Sequence, residues 1–370
     1  MAIDIVTRPL AQTGLSFGLI TLNRPEALNS LNLQMVSQLL VQLEQWQHNA
    51  HIAFVVLSAQ GHKAFCAGGD VSALYHALDA KPLDVHDSSH GVYQFFQTEY
   101  QLNGLIHHYA KPIVVLGHGV LMGGGVGLFM GASHRVVFDN TRFAMPEVAI
   151  GLYPDVAGTW MLSRLPGGVG EYLAVTGSQL SAHDCGFLGL ADIYMAARNH
   201  ETVLDDISSM NYDVSRDAAQ NLDAVFSHHN QAWNFHCSAV YEQFGLLRTL
   251  ASCRSALELE HCVEQFVQVD PNNAYLKQGL QQLRYASPLA KAITWQLLQI
   301  NRRHSVLQTL ERDLWVSLQC CANGDVSEGV RALLIDKDRQ PNWIEQSEVT
   351  ESLIQAFCQP DWAGKHGTNL

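Results

Sequence analysis

Positive charge is scarce in this 370-residue chain: 22 Lys and Arg stand against 35 Asp and Glu, a formal charge of −13. Sequence-blind binding to nucleic acid or to anionic lipid needs a basic surface, so small molecules and protein subunits are the expected partners. The eight cysteines, at 66, 185, 237, 253, 262, 320, 321 and 358, form no C-x-x-C pair and no zinc spacing. Reduced thiols in a reducing compartment are expected instead, with Cys320 and Cys321 packed in a helix. The opening "MAIDIVTRPLAQTGL" lacks an apolar signal core and holds little Arg or Ser, so a cytoplasmic or already processed protein is expected. A Walker loop, a G-x-G-x-x-G turn and H-E-x-x-H are all missing, which removes the usual signals of nucleotide hydrolysis, pyridine-nucleotide chemistry and zinc proteolysis. The one long apolar run, 112–132, carries only His118 as an ionisable side chain, but its glycines, three of them consecutive, make a poor lipid-facing helix. No membrane span is expected.

What is present points to a folded enzyme-sized body, with 47% hydrophobic and 15% charged residues. "LSFGLITLNRP", "AFVVLSA" and "KPIVVLGHG" read as strands, and "LNLQMVSQLLVQLEQWQ" has apolar residues at helical spacing. Strand, glycine turn and helix recur through residue 200, which predicts an α/β core. Beyond residue 200 the periodicity becomes helical with few strand signals. Asp270 to Asn273 marks a break there, and the end, "DWAGKHGTNL", reads as loose.

Several motifs compete for function. "GLSFG" at 14–18 matches a serine-hydrolase pattern, yet Ser16 runs into strand-like sequence where that nucleophile needs a strand-to-helix elbow. The turns in "KAFCAGGDV" and "LMGGGVGLFMGA" follow strands and open helices, offering unpaired N–H donors suited to a developing oxyanion. Tight turning alone also explains such glycines. In "FAMPEVAIGLYPDVAG", residues 143–158, two acids lie in an apolar run, each directly after a proline. A continuous strand would separate Glu147 from Asp155 by about 26 Å, so their convergence requires a bend near Gly151. If they converge, desolvation suits them to acid–base or nucleophilic work; otherwise Glu147 lies at the surface and Asp155 caps the helix suggested by "TWMLSRL".

In order along the chain, "ITLNRPEALNSLN", "KAFCAGGDV", "GHGVLMGGGVGL" and "MPEVAIGLYPDVAG" resemble the enoyl-CoA hydratase/isomerase (crotonase) superfamily. Within it, Phe95-Phe96 with Glu99-Tyr100, the Glu147 to Asp155 spacing, "SPLAKAIT" and "EGVRALLIDKDRQPNW" resemble the branch that hydrolyses 3-hydroxyisobutyryl-CoA. The resemblance covers nearly the whole chain and is weakest at 200–280. It implies an α/β fold, a crotonase-like spiral of strand-strand-helix repeats over 1–200, with a mostly helical C-terminal region over 201–370 packing on that core.

The resemblance also implies roles. The superfamily binds an acyl-CoA and holds its thioester carbonyl with two backbone N–H groups, positions that fall on Gly69 and Gly124. Gly127 stands where hydratases carry the first of two catalytic glutamates, and Glu147 matches the second. Asp155 stands where hydratases tend to have glycine and the hydrolases have aspartate, and Glu99 matches a substrate-contacting glutamate. Hydrolysis rather than hydration is therefore implied, in valine catabolism, with Glu99, Gly124, Glu147 and Asp155 on the substrate. Glu147 either attacks the carbonyl or deprotonates water, and Asp155 serves the 3-hydroxyl or a proton. No cofactor is implied beyond the coenzyme A of the substrate, and the C-terminal helices either join copies into a homo-oligomer or, being longer here, cover the chain's own core. The alternatives are an isomerase, which needs only one glutamate, and an acyl-CoA-binding protein without turnover.

Overall fold

The structure, a computed structural model, describes residues 2–11, 13–195 and 200–361. The run "DWAGKHGTNL" lies outside the described residues except for Asp361. The β-branched and alternating runs become strands β1 (Ile3–Pro9), β2 (Ser16–Leu22), β3 (Ile52–Ala59), β4 (Ala64–Cys66), β5 (Ile113–Gly117), β6 (Val120–Met122), β7 (His134–Phe138), β8 (Arg142–Ala144), β9 (Leu180–Ser181) and β10 (Ile193–Met195). Six of them form one sheet in the order β1-β2-β3-β5-β7-β10, antiparallel between β1 and β2 and parallel elsewhere.

Side-chain period 2 decides which residues meet on each face. Phe17, Leu19, Phe54, Val56, Val114, Leu116, Val136 and Phe138 share one buried face, packed with Ile207 and Phe226 from the helices His200–Ser209 and Ala218–Ser227. Val55, Leu57, Val115 and Val137 are buried on the other face, which explains why these strands read as continuous apolar runs. Each such side chain contributes about 1.5–3 kcal/mol by leaving water.

The expected repetition is present and finer than the sequence suggested. β3, β4 and the helix Val71–Ala80 make one strand-strand-helix turn, and β5, β6 and the helix Gly124–Met130 make the next. In a third, β7 and β8 lead into a single 3-10 turn, Glu147–Ile150. The short second strands gather in their own sheet, β4-β6-β8-β9. The apolar stretch 112–132 is thereby used up by β5, β6 and a seven-residue helix, and no helix among the described residues is long and apolar enough to cross a membrane.

From residue 200 the described residues form helices and no strand. Asp270 to Asn273 separates the helices Ala256–Val269 and Ala274–Tyr285. Cys320 and Cys321 are buried in the helix Val306–Asn323, and none of the eight cysteines is in a disulfide bond. Contacts divide the chain into two compact units that interleave along the sequence: Met1–Gly69, Leu102–Phe143 and Leu180–Tyr241 form one, and Asp70–Gln101, Ala144–Gln179 and Glu242–Leu370 the other. The glycine turns belong to the first unit and the acids to the second.

Candidate active site

In the second unit, Pro146 precedes the 3-10 turn Glu147–Ile150, and Gly151 ends it in a left-handed conformation with φ 77°. The Leu152 N–H returns to the Glu147 carbonyl at 3.1 Å, so the chain doubles back here. A Cβ at Gly151 would lie 2.5 Å from the carbonyl carbon of Asp325, so glycine is required by conformation and by space together. After Asp155 come Val156 and Ala157, two non-glycine residues with φ of 48° and 62°. Backbone of this kind costs about 1–3 kcal/mol per residue and persists only where its surroundings enforce it. Asp313 helps to enforce it, its Oδ2 accepting the Ala157 N–H at 2.9 Å.

The bend does what two acids eight residues apart require. Glu147 and Asp155 are only 6% and 5% exposed, and Glu99, carried by the helix Gly91–His107, is 2% exposed. Glu147 is therefore not a surface residue. Nor does Asp155 cap the next helix, Gly158–Leu162, which has no side-chain cap. Its Oδ2 instead accepts from the Tyr100 hydroxyl at 2.7 Å. Burial holds the Glu99 and Glu147 carboxyls well above the ordinary carboxylate range, and the charge of Asp155 raises both further. Asp155 itself is pushed up by burial only to about 6, because the Tyr100 hydroxyl favours its ionised form.

The three acids thus differ in their surroundings. Asp155 has a donor, while Glu99 Oε1 and Glu147 Oε2 are buried without a hydrogen-bond partner. Such an orphaned atom costs about 1–3 kcal/mol, a penalty that a ligand's donor would relieve. Burial and mutual repulsion oppose ionising all three at once, and Asp155 is the one whose carboxylate already has a donor. One carboxylate beside protonated acids is the arrangement that supplies an acid and a base from the same residue type. Among the described residues no group of three or more His, Cys, Asp or Glu is placed to hold a metal ion.

In the first unit, β4 leads through Gly68, φ 106°, to Gly69, the last residue of its stretch. Asp70, the first residue of the second unit, caps the helix Val71–Ala80 by accepting the Ala73 N–H at 3.2 Å. β6 leads through Gly123, φ 51°, to Gly124, the first residue of its helix, whose N–H has no acceptor inside that helix. A Cβ on Gly68 would lie 3.6 Å from the Gly124 nitrogen, so the two turns lie against each other. Close packing is served as well, since a Cβ on Gly125 would lie 2.6 Å from the Cys66 carbonyl oxygen. Gly127 is buried in the same helix, with no side chain to contribute.

Sequence reasoning missed the groups behind Asp155. The Tyr100 hydroxyl also meets Ser317 Oγ at 2.6 Å, Ser317 Oγ meets the Tyr153 hydroxyl at 3.0 Å, and that hydroxyl donates to the Asp313 carbonyl oxygen at 2.9 Å. All are buried. A signal was present in "LERDLWVSL", where Asp313 and Ser317 sit four residues apart beside Leu310, Leu314 and Leu318 on the buried side of a helix.

Residues 17–358 match the enoyl-CoA hydratase/isomerase family, and the chain belongs to it. Among its curated relatives, a protein of Xenopus tropicalis named 3-hydroxyisobutyryl-CoA hydrolase, mitochondrial, is 38% identical over 345 residues, covering 92% of this chain and 86% of that one. The human protein of the same name is 35% identical over 336 residues, covering 90% of this chain and 84% of its own. Two solved structures are similar across 96% of this chain, each with a TM-score of 0.81. One is an enoyl-CoA hydratase from Rhodobacter sphaeroides, 30% identical with 97% of it covered. The other is a carnitinyl-CoA dehydratase from Mycobacterium thermoresistibile, 31% identical with 96% of it covered.

Proposed function

We propose that this chain hydrolyses the thioester of 3-hydroxyisobutyryl-CoA, and of short relatives such as 3-hydroxypropionyl-CoA, to the free 3-hydroxy acid and coenzyme A. The observation that carries the reading is the buried trio of Glu99, Glu147 and Asp155, with oxygens of both glutamates unpartnered. The names of the relatives support the substrate. On this reading the N–H groups of Gly69 and Gly124 hold the thioester oxygen as it gains charge, each worth about 3 kcal/mol. Glu147 passes its proton to the Asp155 carboxylate and then either attacks the carbonyl carbon, giving an anhydride that water cleaves to free the acid and restore Glu147, or draws a proton from water whose oxygen attacks; the C–S bond breaks and the thiolate leaves with a proton, from Asp155 in the first case and from Glu147 in the second. Glu99 would accept the acyl group's 3-hydroxyl.

Hydration, the activity in the name of one similar structure, uses two glutamates, and the first of those positions holds Gly127 here. No cofactor enters this reading, since coenzyme A is part of the substrate. Valine breakdown and a cytoplasmic location belong to the same proposal. The relatives named above are called mitochondrial, so location is to be decided by cell fractionation. Purified protein offered a panel of acyl-CoAs tests the chemistry: thiol release fastest from 3-hydroxyisobutyryl-CoA is expected. Equal rates on butyryl-CoA would refute the specificity, a shifted double bond would mean an isomerase, and a thermal shift without turnover a binding protein.

A further inference from the structure

We propose that Asp313 is a proton-exchange partner of Asp155, reached through the hydroxyls of Tyr153, Ser317 and Tyr100. This rests on the reading of Asp155 as an acid–base group. The links are 3.3 Å from Asp313 Oδ1 to the Tyr153 hydroxyl, 3.0 Å to Ser317 Oγ, 2.6 Å to the Tyr100 hydroxyl and 2.7 Å to Asp155 Oδ2. Both carboxyls and all three hydroxyl-bearing residues are buried, with Tyr100, Tyr153, Asp313 and Ser317 at 0% exposure.

The chain has two complete states, the first reached when the Tyr153 hydroxyl turns from the Asp313 main-chain carbonyl oxygen, 2.9 Å away, to donate to Ser317 Oγ. With the charge on Asp155, the Asp313 O–H donates to Tyr153, Tyr153 to Ser317, Ser317 to Tyr100, and Tyr100 to the Asp155 carboxylate. When each of the four protons moves one link, Asp155 is protonated, the charge lies on Asp313, and every bond reverses direction. No proton is gained or lost, and each hydroxyl keeps one donor and one acceptor role in both states. Asp155 thereby becomes acid or base without exchanging with solvent. On Asp313 the charge is received by the Ala157 N–H at 2.9 Å and by the field of Arg312.

The groups facing Asp155 are Glu99 and Tyr100 from one helix, Glu147 and Tyr153 from its own segment, and Asp313, Cys320 and Cys321 from the helix Val306–Asn323. Of these, Tyr100 alone donates to it in the described hydrogen bonds. A break at Ser317 interrupts the chain in its middle and leaves both carboxyls, both tyrosines and every group on the substrate in place. Ser317 is therefore a positioning residue whose role is open to a clean test.

The experiment compares the pH profile of kcat and the infrared carboxyl band in wild type, Ser317→Ala, Ser317→Thr, Asp313→Asn and Asp155→Asn. For Ser317→Ala a loss of about tenfold in kcat is expected, less than the ~10² for removal of an acid–base group itself. KM is unchanged, the acid limb of the profile moves, and the protonated-carboxyl band moves. Ser317→Thr restores both readouts, and Asp313→Asn, which still accepts the Ala157 N–H, reproduces the defect. An unmoved profile and band in folded Ser317→Ala and Asp313→Asn overturn the proposal, provided Asp155→Asn is impaired. If Asp155→Asn turns over normally, the reading of the site falls first.

Discussion

Gly151→Ala tests whether a single backbone position assembles the acids. Alanine would have to hold φ 77°, which costs an L-residue about 1–2 kcal/mol. Its Cβ would also lie 2.5 to 2.7 Å from the carbonyl carbon, oxygen and Cβ of Asp325. Asp325 has little room to yield, because its Oδ2 accepts the Ser287 hydroxyl at 2.5 Å and its Oδ1 the Ile344 N–H at 3.0 Å. Overpacking of this kind adds about 1–3 kcal/mol. The expected destabilisation is thus about 2–5 kcal/mol, with loss of turnover in the fraction that still folds, as Glu147 and Asp155 are drawn apart. Gly14→Ala supplies the control, since Gly14 has φ 72° but nothing within 4 Å of an added Cβ, so it meets the conformational cost alone. Urea unfolding followed by tryptophan fluorescence, with kcat measured on each folded variant, reads both effects. If Gly151→Ala loses no more stability than Gly14→Ala and keeps kcat, the claim that this bend builds the site is wrong.

Three further outcomes are expected. Glu147→Gln lowers kcat by at least about 10², as an amide is neither base nor nucleophile, while Asp155→Asn keeps residual turnover because its amide oxygen still accepts from Tyr100; thiol release measures both, and a near-normal Glu147→Gln rate would remove that residue from the chemistry. Asp155→Asn is also expected to be more stable than wild type at pH 7. The native carboxyl titrates near 6 rather than 3.8, so the wild type loses about 3 kcal/mol as pH rises through that window, and the advantage of the variant vanishes below about pH 4; urea midpoints at pH 4 and pH 7 check the sign. Gly124→Pro removes a proposed oxyanion donor at the first helical position, where proline is tolerated, so the protein should fold and lose about 10² in kcat; circular dichroism with steady-state kinetics separates that from misfolding.

Local pattern determined a good deal here. "SFGLITL", "IAFVVLSA" and "IVVLG" declare strands because an apolar run or a period-2 alternation needs only neighbouring residues to be read. Glu147 and Asp155 were visible as acids in an apolar, proline-stiffened run, and the four ordered motifs pointed to the family that residues 17–358 match. The three-residue strands β4, β6 and β8 escaped because so short a run carries no measurable period and is stabilised by its sheet partners. Tertiary structure alone decided the convergence of Glu99 with Glu147 and Asp155, since Glu99 approaches from a helix 48 residues before Glu147. It also decided that Asp313 and Ser317, 158 and 162 residues after Asp155, stand behind that acid. Hydrogen bonds and charge depend on distance in space, and distance in space across such separations is set by packing rather than by any pattern along the chain.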